Sequence, residues 1–509
     1  MLYHYSKLLF ILLVAAVALV QVPTVFADVT PHALFSDGMV LQCGIEAPVW
    51  GRADPGEKIV VRFGAQRIET VADSQGEWSV KLSPMKTRGP SSMVISGKNT
   101  VEINNILIGE VWVCGGQSNM QFTLKKCDGG EEAVANSANN NLRLFKVPPV
   151  GSEKPLKNVD AQWEICGPEV VADFSGVGYF FGKELGEALD VPIGLIQACK
   201  GGTAAELWTS MDALSANPAL KPMVDKFLDA WKNQKTSKKE YDQALTRFVK
   251  AREEAKATGK PMPQRPGNPL VKLSHLYNGT IAPLQPYGIR GAIWYQGEAN
   301  ASSTKRAQQY REIFPTMIRN WRDDWGQGNF PFLFVQLPGF KAPAPRDWPV
   351  ARESQASALS LPNTGMAVAI DLGDPNDIHP TNKKPVGQRL SLVARAKVYR
   401  EEIEYSGPRY REMRITDGKI EITFEHVAGG LVVKGDELRG FEIAGDDGKF
   451  APATASIEGG SVVVSNSDVS SPKAVRYAWA AVPKCNLYNK AGLSAAPFRT
   501  NGASVVQFK

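Results

Sequence analysis

Gly115-Gly116-Gln117-Ser118-Asn119-Met120 follows directly on the apolar run Val111-Trp112-Val113-Cys114. A strand that ends in two glycines and hands a serine to the start of a helix can expose a nucleophilic hydroxyl, because glycine admits a tight turn that a side chain would block. The first helical turn adds backbone N–H groups where an oxyanion would develop. The same residues also fit a plain strand-to-helix turn with a serine cap. A hydroxyl becomes a nucleophile only beside a base, and histidine is suited because its pKa lies near neutrality. The chain has five histidines. His4 lies in the N-terminal leader, and His32 and His426 read as structural residues of β regions, which leaves His275 and His379.

His379 stands in Asp371-Leu372-Gly373-Asp374-Pro375-Asn376-Asp377-Ile378-His379-Pro380, just after the apolar stretch Met366 to Ile370. Loops that follow strands are where α/β folds carry catalytic groups. Pro380 biases His379 to an extended backbone, which sets the side chains of Asp377 and His379 on one side, where a carboxylate can hold the imidazole tautomer. Asp374 reads as a turn residue. Two more loops follow strand-like runs and could complete an oxyanion hole. Gly201-Gly202-Thr203 comes after Ile193 to Ala198 and can turn an N–H into a cleft. Trp294-Tyr295-Gln296-Gly297-Glu298-Ala299-Asn300 brings a side-chain amide to a strand end.

The elements that must position these loops are legible in outline. At 509 residues, 43% hydrophobic and 22% charged, the chain has material for two to four domains. Its net charge of +6 is spread over 58 basic and 52 acidic residues without a long basic run, which argues against nucleic acid as a partner. Lys7, the apolar stretch Leu8 to Val20, Pro23 and Val25-Phe26-Ala27 predict a signal peptide over residues 1–27. The mature protein is then exported, periplasmic or extracellular, with no membrane partner after cleavage. Residues 28–108 are turn-rich with alternating apolar positions, as in Trp78, Val80 and Leu82, and predict an N-terminal β-sandwich. Residues 109–400 alternate apolar strands with helical patterns and predict an α/β domain with a mostly parallel sheet. Within it, about 210–265 reads as a charged helical insertion, with Tyr241, Leu245, Phe248 and Val249 on one face. Residues 401–509 predict a C-terminal β region. The six cysteines are scattered; Cys114 with Cys127 or Cys166 with Cys199 are candidate pairs, and buried free thiols are the alternative.

Taken in order, Gly116-Gln117-Ser118, Gly201-Gly202-Thr203, Trp294-Tyr295-Gln296-Gly297-Glu298 and Asp377-Ile378-His379-Pro380 resemble the serine, glycine, amide and histidine blocks of SGNH hydrolases. More closely, the chain resembles the sialate O-acetylesterase family. Leu34-Phe35-Ser36-Asp37, Leu276-Tyr277-Asn278-Gly279, Val475-Arg476-Tyr477-Ala478-Trp479 and Cys485-Asn486-Leu487-Tyr488-Asn489 extend the likeness over nearly the whole mature chain. The resemblance implies a three-layer, flavodoxin-like SGNH sheet domain and removal of O-acetyl groups from a carbohydrate substrate, most directly sialic acid, with acetylated xylan or pectin as the alternative. It implies Ser118 as nucleophile, His379 as base, and the N–H groups of Ser118 and Gly202 with the Gln296 amide as oxyanion donors. Asn300 is a substitute for Gln296, because the SGNH amide block ordinarily carries asparagine. Glu298, Asn300 and Asn278 are candidate supporting residues. The acid ordinarily three residues before the histidine is Asn376 here, so either Asp377 serves or the site is a Ser-His dyad. This chemistry calls for no metal or organic cofactor. A glycan-binding protein with an inactive hydrolase-like core is the rival from another class.

Overall fold

The apolar run before the nucleophile turn belongs to a strand of 17 residues, β1 (Thr100–Gly116), around which both halves of the fold are arranged. In the computed structural model, which describes residues 28–260, 263, 266, 272–343 and 345–502, β1 pairs antiparallel with Arg88–Ser96 and parallel with Val40–Gln42 through its first part. Its second part runs through the centre of a parallel sheet. The other strands of that sheet are β2 (Asn139–Lys146), β3 (Trp163–Cys166), β4 (Ile193–Cys199), β5 (Gly291–Tyr295), β6 (Phe332–Gln336) and β7 (Thr364–Val368). Their order is β3-β2-β4-β1-β5-β6-β7, and only β3 runs antiparallel to its neighbour. Residues 1–27, predicted above to be a signal peptide, lie outside the described residues.

β4, β5, β6 and β7 are buried along their whole length. This explains why they read as continuous apolar runs without alternation, since a parallel sheet covered on both faces has no wet side. Successive residues of β1 feed two different cores. Val111 and Val113 join Trp294, Phe332, Phe314 and Trp321 on one face, while Trp112 and Cys114 join Phe181, Leu195 and Leu390 on the other. The helices that cover these faces are α2 (Gly176–Leu189) and α4 (Lys384–Lys397) on the second, and α3 (Thr304–Trp325) on the first; the short α1 (Ser118–Gln121) follows β1. The α/β alternation expected for this region is therefore present.

The N-terminal part holds a three-stranded sheet of Thr30–Pro31, Ala47–Arg52 and Glu77–Leu82. A second set, Lys58–Phe63, Gln66–Val71 and Arg88–Ser96, joins β1. The expected boundary at residue 108 falls inside β1, because a single uninterrupted strand serves both parts and no linker separates them. Residues 210–258 contain helices over Met211–Ala216, Lys221–Lys232 and Gln234–Thr258; Tyr241, Leu245 and Phe248 are half-buried, but Val249 stays 44% exposed. Residues 409–499 form two four-stranded antiparallel sheets and one two-stranded pair. All six cysteines are free thiols, four of them buried.

Arg352 joins the C-terminal β region to the sheet domain. It is fully buried and donates to the carbonyls of Leu337, Pro338, Ala480 and Ala481 at 2.8–2.9 Å. Burial pushes its pKa down to about 9. Arg352→Met fills the space but strands four carbonyls, so urea unfolding is expected to show a loss of about 3 kcal/mol or more.

Candidate active site

Three of the four loops meet because their strands are neighbours in register. Gly116 at the end of β1 is paired with Cys199 of β4 on one side and Tyr295 of β5 on the other, so all three strands end at one level. Gly116 must be glycine. Its φ is +141°, and a Cβ there would stand 2.2 Å from the Tyr295 carbonyl oxygen. The chain turns at Gln117, whose N–H bonds the Tyr295 carbonyl at 3.0 Å, and Ser118 opens α1. As the first helical residue, Ser118 has no carbonyl one turn back to take its own N–H. Across from it the Gly201 N–H donates to Gln121 Oε1 at 2.8 Å, which holds the Gly201-Gly202 turn beside Ser118. Gly202 has φ +73°, faces open space, and is exposed.

The histidine comes from farther away. β7 lies three strands from β1, roughly 14 Å at ordinary strand spacing, and the loop after it runs back across the strand ends. His379 Nε2 lies 2.9 Å from Ser118 Oγ. With Nε2 accepting the serine hydroxyl, the neutral ring carries its proton on Nδ1, which faces Asp377 Oδ1 at 3.6 Å. That carboxylate also accepts the His379 backbone N–H at 2.8 Å. Asp374 caps the turn, taking the N–H groups of Asn376 and Asp377, and Asn376 is exposed. Desolvation pulls the His379 pKa below its usual value, more than the nearby Asp377 charge raises it, so the imidazole is neutral and basic at pH 7.

The long contact and the 60% exposure of the Asp377 side chain make this a weak third member. Asp377→Asn is expected to reduce kcat by only about tenfold, far less than the ~10⁴-fold loss at a buried triad aspartate. Because the carboxylate raises the His379 pKa, its removal should move the acid limb of kcat/KM to lower pH. A pH-rate profile of the variant checks both.

The amide loop departs from expectation. Gln296 is fully buried, and its amide donates to the Thr203 carbonyl at 3.1 Å and to Asn300 Oδ1 at 2.8 Å, while Tyr310 donates to its Oε1. Both N–H directions are spent, so Gln296 shapes the loop after Gly202 and offers no donor to the cleft. Asn300 is no substitute, since its amide goes to buried Glu206 at 3.0 Å and its oxygen takes the Ala205 N–H. Asn278 ties down the backbone of Ser152 and Glu153, and its bonds do not run to the serine or the imidazole. His275 is placed by its carbonyl, which accepts the Ser152 N–H at 3.0 Å, and two further histidines sit in the β regions. His32 packs on Trp50 within the N-terminal core, with its pKa pushed down to about 4 by burial. His426 pairs with Glu404 and Arg409.

Two buried residues escaped the sequence reading. Asn119 sends its amide to Glu298 Oε1 at 2.5 Å and to the Ile378 carbonyl at 3.0 Å, and Lys383 donates to its oxygen. Asn119 is signalled only by its place beside Ser118. Lys383 carries no local signal, since a lysine in a polar loop reads as solvated.

A hydroxyl bonded to a neutral imidazole, at the start of a short helix and next to a glycine turn, is suited to acyl transfer. A family model described as carbohydrate esterase, sialic acid-specific acetylesterase, matches residues 268–394, a stretch that includes Glu298, His379 and Lys383. Sialate O-acetylesterase of Homo sapiens is 30% identical, over 89% of this chain and 88% of its own length. The Mus musculus protein of the same name is 29% identical, over 89% and 90%. A crystal structure of a carbohydrate acetylesterase from Xanthomonas citri superposes with a TM-score of 0.80 at 37% identity, covering 93% of this chain and 99% of that one.

Proposed function

The chain belongs to the sialate O-acetylesterase family and is a carboxylic ester hydrolase that removes O-acetyl groups from sugars, and on that premise we propose that Ser118 and His379 perform the reaction through an acetyl-enzyme. Ser118 Oγ attacks the acetyl carbonyl as its proton passes to His379 Nε2, and the N–H groups of Ser118 and Gly202 receive the oxyanion. His379 then protonates the departing sugar oxygen. A water molecule, deprotonated by the same nitrogen, attacks the acetyl-serine and releases acetate. Asp377 steadies the imidazolium from the other side. The observation that carries this reading is the 2.9 Å contact between groups 261 residues apart.

The substrate is acetylated sialic acid, and the protein acts after export. Acetylated xylan or pectin is the second reading; the 37% identical relative is a carbohydrate acetylesterase, a class that takes in either sugar. The order of the blocks and the helices on both sheet faces support an SGNH-type three-layer domain over 109–400. It shares β1 with the proposed N-terminal β-sandwich and is followed by the β region of 401–509. No helix among the described residues is long and apolar enough to cross a membrane. Acetate release from O-acetylated sialic acid and from acetylated xylan, measured side by side, assigns the sugar. A fluorophosphonate should modify the peptide containing Ser118 and stop turnover. Modification of another serine with loss of activity overturns the assignment, and glycan binding with no turnover on any acetyl ester favours the inactive-core alternative.

A further inference from the structure

We propose that Asn119, held between Lys383 and Glu298, is a positioning residue that sets the distance between the nucleophile and its base. The proposal rests on Ser118 and His379 being the reacting pair. Asn119 directly follows Ser118, and Ile378 directly precedes His379, so the bond from Asn119 Nδ2 to the Ile378 carbonyl links the two catalytic loops by a single side chain. Asn119 is fully buried and cannot trade this bond for water.

The loop needs such a tether. It returns from an edge of the sheet, and the imidazole it carries is 37% exposed, so packing alone holds the ring weakly. The amide is aimed from both ends. Lys383, fully buried at the start of α4, fixes its oxygen, and Glu298, 2% exposed after β5, fixes its nitrogen. Asparagine suits this place because it accepts at one atom and donates twice at the other; aspartate would lose the donors and set a second charge against Glu298. The amide stands between the Glu298 and Lys383 side chains, and Lys383 Nζ also lies 5.0 Å and 5.3 Å from the ring centres of Phe122 and Tyr295. Burial brings Lys383 down to about 8, against the opposing pull of Glu298, Cys127 and Asp377, and burial raises Glu298 despite the bond from Asn119. Two ionisable side chains buried below the nucleophile turn carry a desolvation cost that an apolar filling would avoid.

A shift of about 1 Å between reacting groups can cost 10²-fold in rate. Asn119→Ala is therefore expected to lower kcat for an aryl acetate about 100-fold with KM within about threefold, and to slow fluorophosphonate labelling of Ser118 by the same factor. A role in stability alone would lower the melting temperature and leave both rates intact. Should Asn119→Ala fail to fold, Glu298→Gln keeps the shape and an acceptor oxygen. It removes a carboxylate that raises the Lys383 pKa, so Lys383 should lose its proton, and with it its hold on the Asn119 oxygen, at lower pH, which is expected to move the alkaline limb of kcat to lower pH. Wild-type kcat and labelling in folded Asn119→Ala, or an unmoved alkaline limb in Glu298→Gln, overturns the proposal. If Ser118→Ala is inactive in the same assays, only the positioning role falls; if Ser118→Ala keeps wild-type turnover, the catalytic reading falls as well.

Discussion

Ser118→Ala is expected to lower kcat on an aryl acetate by about 10⁴- to 10⁶-fold, on the scale seen when a serine hydrolase loses its nucleophile. The change deletes one oxygen from a half-buried residue at the start of α1 and leaves every backbone bond of the turn in place. Thermal unfolding should therefore be unchanged. The loss corresponds to about 5–8 kcal/mol of transition-state stabilisation, well beyond what a disturbed loop produces. The N–H groups of Ser118 and Gly202 survive the substitution, so a residual rate above uncatalysed hydrolysis should persist, supported by binding and the oxyanion donors alone. Turnover within tenfold of wild type, in protein shown by mass to be the alanine variant, would remove Ser118 from the mechanism.

His379→Ala should cost roughly 10³- to 10⁵-fold in kcat/KM, and its effect on pH dependence is as informative as its size. Only the neutral imidazole can accept the serine proton. Desolvation lowers its pKa in the folded protein, so wild-type activity should hold down to a pH below the usual histidine value and fall off as the ring is protonated. The alanine variant should lose that acid limb. The native ring is 37% exposed, so the space it vacates is open to small bases, and added imidazole should restore part of the rate. If the variant keeps the wild-type acid limb, the titrating base is another group.

Several parts of this outcome were open to inspection in the linear chain, because they depend on local conformation and composition. Gly116 before Gln117-Ser118 signals a turn no other residue could make, and Asp374-Pro375-Asn376 signals the turn that leads to His379. The fully apolar runs at β4 to β7 signal a sheet covered on both faces. The destinations of side chains were not open in that way. Gln296 ends a strand as expected, yet its amide faces Thr203 and Asn300 because the neighbouring loop presents a carbonyl and an acceptor there. The β1 strand crosses the expected domain boundary because its pairing partners change along its length while its own residues give no break. Lys383 looks solvated in sequence but is fully buried, since its partner Asn119 lies 264 residues away. Backbone turns and apolar periodicity are properties of adjacent residues, so the order of amino acids determined the strands, the nucleophile turn and the candidate pair. Which donor meets which acceptor depends on groups that only the packed sheet brings together, so the tertiary structure alone decided the fate of Gln296 and the network beneath Ser118.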